Sequence, residues 1–279
     1  MSTYDSNKIP VEKLATAVQN LIDKETVHQY FKKLFYTHEQ KWRNDQKKDY
    51  WKTSVVRKLL AVNSRIRFTD FLETQINEEF ETRLFYPQLI TYLRLTCFDQ
   101  LGQPIKWSNF ENWLKSKKQK TKSEREEILK TLNGETPIES SVRLFSGYQK
   151  IYGNKNSFFN FLNNVIPNNQ KEKLLASIRI RTYNETRLFK GREVKESDKL
   201  NYLYKIRNDF THNTYNQEPI FGLGEKNKEW NFREILYESK NELWISTKND
   251  FQLTLKETVF HGLSELIKSN YGVANLAES

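Results

Sequence analysis

Arg207-Asn208-Asp209-Phe210-Thr211-His212 sets a guanidinium, an amide and an imidazole within a few residues of one another. Arginine is a planar, permanently charged donor suited to phosphate oxygens. Histidine, with an ordinary pKa of about 6.5, holds or releases a proton near neutrality. Together they suggest a place where a phosphate sits and protons move. The residues around them, Ser197 to Asn213, read as one helix with Ser197 or Asp198 positioned to cap its first amides. At about 100° per residue, Leu200, Leu203, Tyr204, Ile206 and Phe210 share a broad apolar stripe. Arg207 falls in the middle of that stripe, where a surface helix would carry another leucine. Asn208 and His212 stack on its edge, beside the polar face of Asn201, Lys205 and Asp209. A guanidinium aimed inward needs an anion, because an unpaired buried charge costs several kcal/mol or more. The plainer alternative pairs Arg207 with Glu185 or Asp209 and gives the helix-end histidine to the last carbonyls.

The chain that must position these groups has 279 residues, enough for one large domain or two ordinary ones with a sizeable core. Its net charge of +10 points to an acidic partner, most simply nucleic acid, or equally to a basic solvated surface, and charge alone does not choose between them. A single cysteine, Cys97, excludes an intramolecular disulfide and a thiolate metal site. His28, His38, His212 and His261 are scattered without metal-ligand spacing, so neither a metal nor another cofactor is expected. The first residues hold no apolar signal core, and no apolar run approaches the ~20 residues of a membrane span. A soluble, cytoplasmic protein that does not enter a membrane is the expectation.

Helical periodicity dominates. It runs from Pro10 to about Tyr36, then through Trp51 to Val62, then from about Thr69 to Phe80, and Pro87 is expected to start a further helix. Gly102-Gln103-Pro104 marks a turn, and Trp107 to Leu114 a short helix. Lys115 to Arg125, with six basic residues and one acid, reads as an exposed loop or as a basic arm that tracks phosphates. Asn133-Gly134 and Pro137 suggest a boundary between a helical N-terminal region, 1–135, and a second domain, 136–279. Helices are expected at about Ser140–Tyr152, Ser157–Val165 and Asn169–Tyr183. The basic stretch from Arg179 to Arg192 includes Arg179, Arg181 and Arg187, which, with Lys205, are the candidate RNA-binding residues. After His212 the pattern changes. Phe232–Tyr237, Glu242–Ser246 and Phe251–Leu255 read as short strands of a small antiparallel element near the C-terminus, followed by a helix from Lys256 to Tyr271. The six tryptophans read as core or interface residues rather than base-stacking platforms. Asp70, Glu73, Glu78, Glu79 and Glu81 read as a solvated helix face. The fold class expected is mainly α.

The Arg-x4-His motif with asparagine directly after the arginine, late in a helix-rich chain, resembles the signature of HEPN domains. These are helical bundles common among prokaryotic toxins, abortive-infection proteins and the RNA-cutting effectors of CRISPR systems. The resemblance covers Ser140 to Ser279 at most. It implies a HEPN-like helical bundle and a metal-independent endoribonuclease acting on single-stranded RNA, in antiviral defence or as a toxin. Arg207 would neutralise the scissile phosphate, His212 would act as general acid or base, and Asn208 would orient one or the other. The RNA 2′-hydroxyl would attack, leaving a 2′,3′-cyclic phosphate and a 5′-hydroxyl. A non-catalytic HEPN-like dimer that binds RNA or a protein is the alternative.

Members of the family pair two motifs, across a dimer or between domains. Here the residues five before His28, His38 and His261 are Asp23, Lys33 and Lys256, so the chain holds one copy. A two-fold homodimer with a composite active site is therefore implied. The resemblance leaves room for a regulatory or antitoxin partner, but the tyrosine that some family toxins carry two residues after the histidine, for an antitoxin to modify, is replaced here by Thr214, with Tyr215 one later, which speaks against regulation of that kind. On an ideal helix Arg207 and His212 point about 140° apart. Either the helix loosens near Thr211, or His212 meets a phosphate held by a partner's Arg207.

Overall fold

The computed structural model describes residues 50–76, 80–105, 107–131, 136–184, 195–212, 229–238 and 241–271. Two long helices come first, α1 (Tyr50–Thr74) and α2 (Phe80–Gly102). Short α3 (Phe110–Lys115) and α4 (Gln119–Lys130) follow. Next come α5 (Pro137–Tyr152), α6 (Asn154–Asn160), a π-helical turn over Phe161–Val165, and α7 (Asn168–Ala176). Strand β1 (Ile178–Asn184) precedes α8 (Glu196–His212). Strands β2 (Trp230–Glu238) and β3 (Asn241–Lys248) lead into the closing helix α9 (Phe251–Tyr271). The chain is mainly helical with a small three-stranded antiparallel sheet in the order β1-β3-β2. Among the described residues no helix is long and apolar enough to cross a membrane.

Helix α2 is the central element, packed against α1, α6, α8 and α9. Leu95, Phe98 and Leu101 from α2 join Leu59, Val62 and Ile66 from α1, Phe158 and Phe161, Leu200 and Leu203 from α8, and Leu255, Val259 and Leu263 from α9 in one buried cluster. The main core thus draws on both sides of residue 135. Arg94 of α2 is completely buried, with Nη2 2.9 Å from Glu73 of α1 and Nη1 donating to the Gln252 carbonyl of α9 at 3.0 Å. It ties the three helices together. Glu73 and Asp70, expected on a solvated face, therefore partner cations: Asp70 also accepts from Lys256 Nζ at 2.7 Å.

Several local expectations are corrected. Trp51–Val62 and Thr69–Phe80 are not separate helices, because α1 runs unbroken to Thr74. Pro87 lies inside α2 instead of opening a helix. The lost amide bond is tolerated where flanking turns pack on a core. The Lys115–Arg125 segment is neither loop nor extended arm: Lys115 closes α3 and residues from Gln119 form α4. Arg125 holds the intervening turn by donating to the Trp113 and Ser116 carbonyls. The helix expected to reach Tyr183 stops at Ala176, and Ile178 and Ile180 alternate into the core as β1. Phe251–Leu255 is helix, not strand. Phe251, Leu255 and Val259 are buried at four-residue spacing while Leu253 between them is 57% exposed, which a strand pairing Phe251, Leu253 and Leu255 on one face would not give.

Candidate functional site

Helix α8 begins at Glu196, one residue before the expected caps, so Ser197 and Asp198 fall inside its first turn. Its apolar stripe packs as the spacing requires. Leu200 and Leu203 enter the main core, Tyr204 and Ile206 lie against it, and the Phe210 ring stacks on Tyr92 of α2 at 4.5 Å. Arg207 takes the leucine-like position in the stripe because α2 offers an acid there. Its Nε donates to Asp99 Oδ2 at 2.8 Å, and Nη2 lies 2.8 Å from the same oxygen. The two side chains are 13% and 6% exposed. Asn208 completes the group, its Oδ1 accepting from Arg207 Nη1 at 3.0 Å.

Among the described residues three of the five guanidinium N–H groups are engaged in this way, leaving one on each terminal nitrogen. Two donors suffice for a bidentate bond to a phosphate. Asp99 is held less completely. Its Oδ1 is buried and accepts no hydrogen bond among the described residues. Burial pushes the Asp99 carboxyl up to about 6, against the pull of the Arg207 charge and hydrogen bond and the weaker pull of Arg65. Near neutrality, then, the acid that holds Arg207 is close to gaining a proton. Cys97, two residues away, has its thiol pushed up to about 12 by burial and is no nucleophile.

The sequence contained a signal for Asp99. It stands in the apolar run from Leu93 to Leu101, in the same helical turn as the buried Leu95 and Phe98, as Arg207 stands in the stripe of α8. Two opposite charges in two buried stripes are most cheaply accommodated as a pair. Among the described residues Arg207 pairs with Asp99 and not with Asp209. Asp209 instead bonds Lys205 Nζ at 2.5 Å, one turn away on the polar face, and Glu185 lies outside the described residues.

Helix α8 remains α-helical through His212. The loosening near Thr211 that would swing the histidine back toward Arg207 is not present in the backbone, so the about 140° divergence stands. The His212 side chain itself lies outside what the structure describes. The four candidate RNA-binding residues separate. Arg179 and Arg181 alternate along β1 on the sheet face opposite Ile178 and Ile180, Lys205 is on α8 with Asp209, and Arg187 lies outside the described residues. Arg207 and Asn208 are brought together, and Asp99 joins them. Comparison of the chain with family models, with curated proteins and with solved structures finds no match in any of the three.

Proposed function

We propose that this protein is a metal-independent endoribonuclease of HEPN type, a toxin or antiviral defence effector that works as a two-fold homodimer. The observation that carries the reading is the Arg207-Asn208-x3-His212 motif on a continuous helix, its arginine anchored by Asp99 with two donors left over. In this reading those donors take the non-bridging oxygens of the scissile phosphate. The RNA 2′-hydroxyl gives up its proton and its oxygen attacks phosphorus. The bond from phosphorus to O5′ breaks, O5′ takes a proton, and a 2′,3′-cyclic phosphate and a 5′-hydroxyl result. His212 carries one of these protons. Because positions 207 and 212 of a continuous helix lie about 140° apart around its axis, each site in this reading combines Arg207 of one protomer with the partner's His212. The test is cleavage of single-stranded RNA in EDTA by wild type and by His212→Ala. Cleavage by the wild type alone supports the proposal, and equal rates for both variants would sink it.

A second reading has its own observation. A buried carboxylate on two donors of Arg207 is also what a purely structural bridge between α2 and α8 looks like. The chain would then be a HEPN-like dimer that binds RNA or a protein without cutting. Wild-type RNA affinity in Arg207→Ala, with no growth defect on overexpression, favours this second reading.

A further inference from the structure

Glu124 and Arg125 are the two charged residues of the Lys115–Arg125 run that turn inward. Glu124 Oε2 accepts from Nε1 of the completely buried Trp113 at 2.9 Å. The Arg125 guanidinium lies 5.7 Å from the Trp113 ring centroid and donates to the Trp113 carbonyl and, at 2.6 Å, to the Ser116 carbonyl. Ser116 Oγ in turn accepts from the Lys118 amide at 3.3 Å. Trp113 packs with Tyr148 and Tyr152 in a cluster separate from the main core that takes Leu200 and Leu203 of α8. The turn between α3 and α4 is therefore pinned from beneath, and the one acid of the run is engaged in pinning it.

What the turn presents outward is lysine. Lys115, Lys117, Lys118, Lys120 and Lys122 are all exposed. Lys115 bonds Glu111 at 2.6 Å and Lys122 lies 3.6 Å from Glu126, both weak surface pairs one helical turn apart. The ammonium groups of Lys117, Lys118 and Lys120 make no ion pair or hydrogen bond among the described residues, and no acid stands in the first turn of α4. Three uncompensated cations within four residues repel one another, and a polyanion relieves that repulsion while releasing its own condensed counterions.

We propose that the α3–α4 turn is a docking surface for the phosphate backbone of single-stranded RNA, with Lys117, Lys118 and Lys120 each taking a phosphate. The proposal deepens the ribonuclease reading and takes its substrate class from it. Because the backbone of the turn is already fixed, binding orders only lysine side chains and loses little entropy. Contacts of this kind hold and orient a strand without reading its bases. The lysines precede Ser140, outside the part of the chain that resembles HEPN domains, and stand on a different hydrophobic cluster from Arg207. They give the first half of the chain a share in holding the substrate away from the chemistry.

The experiment titrates a fluorescein-labelled oligouridylate with the full chain carrying His212→Ala, which leaves the probe uncut if the ribonuclease reading is right. Anisotropy is read at several salt concentrations. Adding Lys117→Gln, Lys118→Gln and Lys120→Gln together should weaken binding about 100-fold at low salt and lower the salt slope by about two, the share of three single-strand phosphate contacts. Each single substitution should weaken it about fivefold, so the surface is tested even if the triple variant folds poorly. A control carries Lys130→Gln, Lys150→Gln and Lys155→Gln, three exposed lysines outside the turn, and loses the same net charge. It should bind within about threefold of its parent. Parental affinity and salt slope in the three single variants would overturn the proposal. So would an equal loss in the control, which would leave net charge alone responsible. Displacement of the oligonucleotide by polyglutamate as readily as by unlabelled RNA would also overturn it, making the turn a site for acidic protein. If the wild type never cleaves RNA while the turn variants weaken binding as stated, the docking surface stands and the ribonuclease reading falls. Cleavage by the wild type with parental binding in the turn variants sinks the docking surface alone.

Discussion

Asp99 and Arg207 stand 108 residues apart in the chain and meet through one oxygen: Asp99 Oδ2 takes both Nε and Nη2 of the arginine at 2.8 Å. The contact makes α2 part of the candidate site, although the Arg207–His212 motif lies wholly on α8. Asp99 touches no reacting atom in the proposed reaction, so its role is positional. Replacing it by alanine leaves a buried guanidinium unpaired, at a cost of about 3–5 kcal/mol in stability. Asp99→Asn keeps the shape and one acceptor while removing the charge. In that variant kcat for RNA cleavage should fall about 10–100-fold with little change in KM, because the arginine is misplaced while the rest of the RNA surface is intact. Steady-state kinetics on a short single-stranded RNA check this. An unchanged kcat would confine the pair to a structural role.

The same carboxyl sets a pH signature. In the fold burial raises the Asp99 carboxyl to about 6 from its ordinary 3.8. Between about pH 4 and 6 the folded chain keeps this proton while the unfolded chain has lost it. Stability from this group is therefore full below about pH 4 and is lost as pH rises through 6, by about 3 kcal/mol in all. Asp99→Asn cannot titrate and lacks the component. Urea midpoints of wild type and Asp99→Asn at pH 4.5 and 6.5 give the comparison. The wild type should lose stability relative to the variant as pH rises. A relative gain would mean that the Arg207 charge outweighs burial.

Gly102 closes α2 one turn beyond Asp99, where the helix passes α6 at close range. A Cβ there would stand 1.9 Å from the Ser157 carbonyl oxygen and 2.8 Å from the Phe161 amide nitrogen, both backbone atoms that cannot rotate away. Asn160 Nδ2, from the same helix α6, also donates to the Gly102 carbonyl at 2.8 Å and holds the approach. Gly102→Ala should therefore cost more than 3 kcal/mol despite alanine's better helix propensity, because relief requires moving α2 or α6. Thermal melting measures it. A neutral or stabilising effect would mean that these two helices separate easily.

Much of this architecture was legible in the sequence, and the failures share causes. The stripe of α8 was legible because it follows the helical period, and the strands over 232–237 and 242–246 because short runs rich in aromatic and β-branched residues are set off by turn residues at Asn241 and Asn249-Asp250. Phe251–Leu255 fits both periods, and only the tertiary choice of which residues to bury decides it. Ile178 extends the helical spacing of Leu174 and Leu175, which concealed the start of β1. Asp99 is a harder case. Its identity and unusual setting are local, but its pairing with Arg207 depends on α2 lying beside α8, which no spacing encodes. Trp230 is harder still, since nothing local in the sequence tells that its ring meets the Arg179 guanidinium, 3.9 Å from the ring centroid.

The geometry of α8 yields a prediction that separates a composite site from a site within one chain. Arg207→Ala and His212→Ala should each abolish cleavage, by at least about 10³-fold if the groups act as assigned. Mixing the two inactive proteins under conditions that exchange subunits should then restore activity. In a mixed dimer one site combines both defects, and the other combines an intact Arg207 with an intact His212. Random exchange makes about half of the dimers mixed with one live site in two, so activity should recover to about a quarter of wild type. If instead each site were built within a single chain, every chain in the mixture would still lack one group, and no exchange would restore cleavage. Because α8 remains helical through His212 and carries Arg207 and His212 about 140° apart, recovery is the expected result. Absence of recovery, once subunit exchange is confirmed by mass-tagged dimers, would contradict the composite site while leaving the Asp99–Arg207 contact in place.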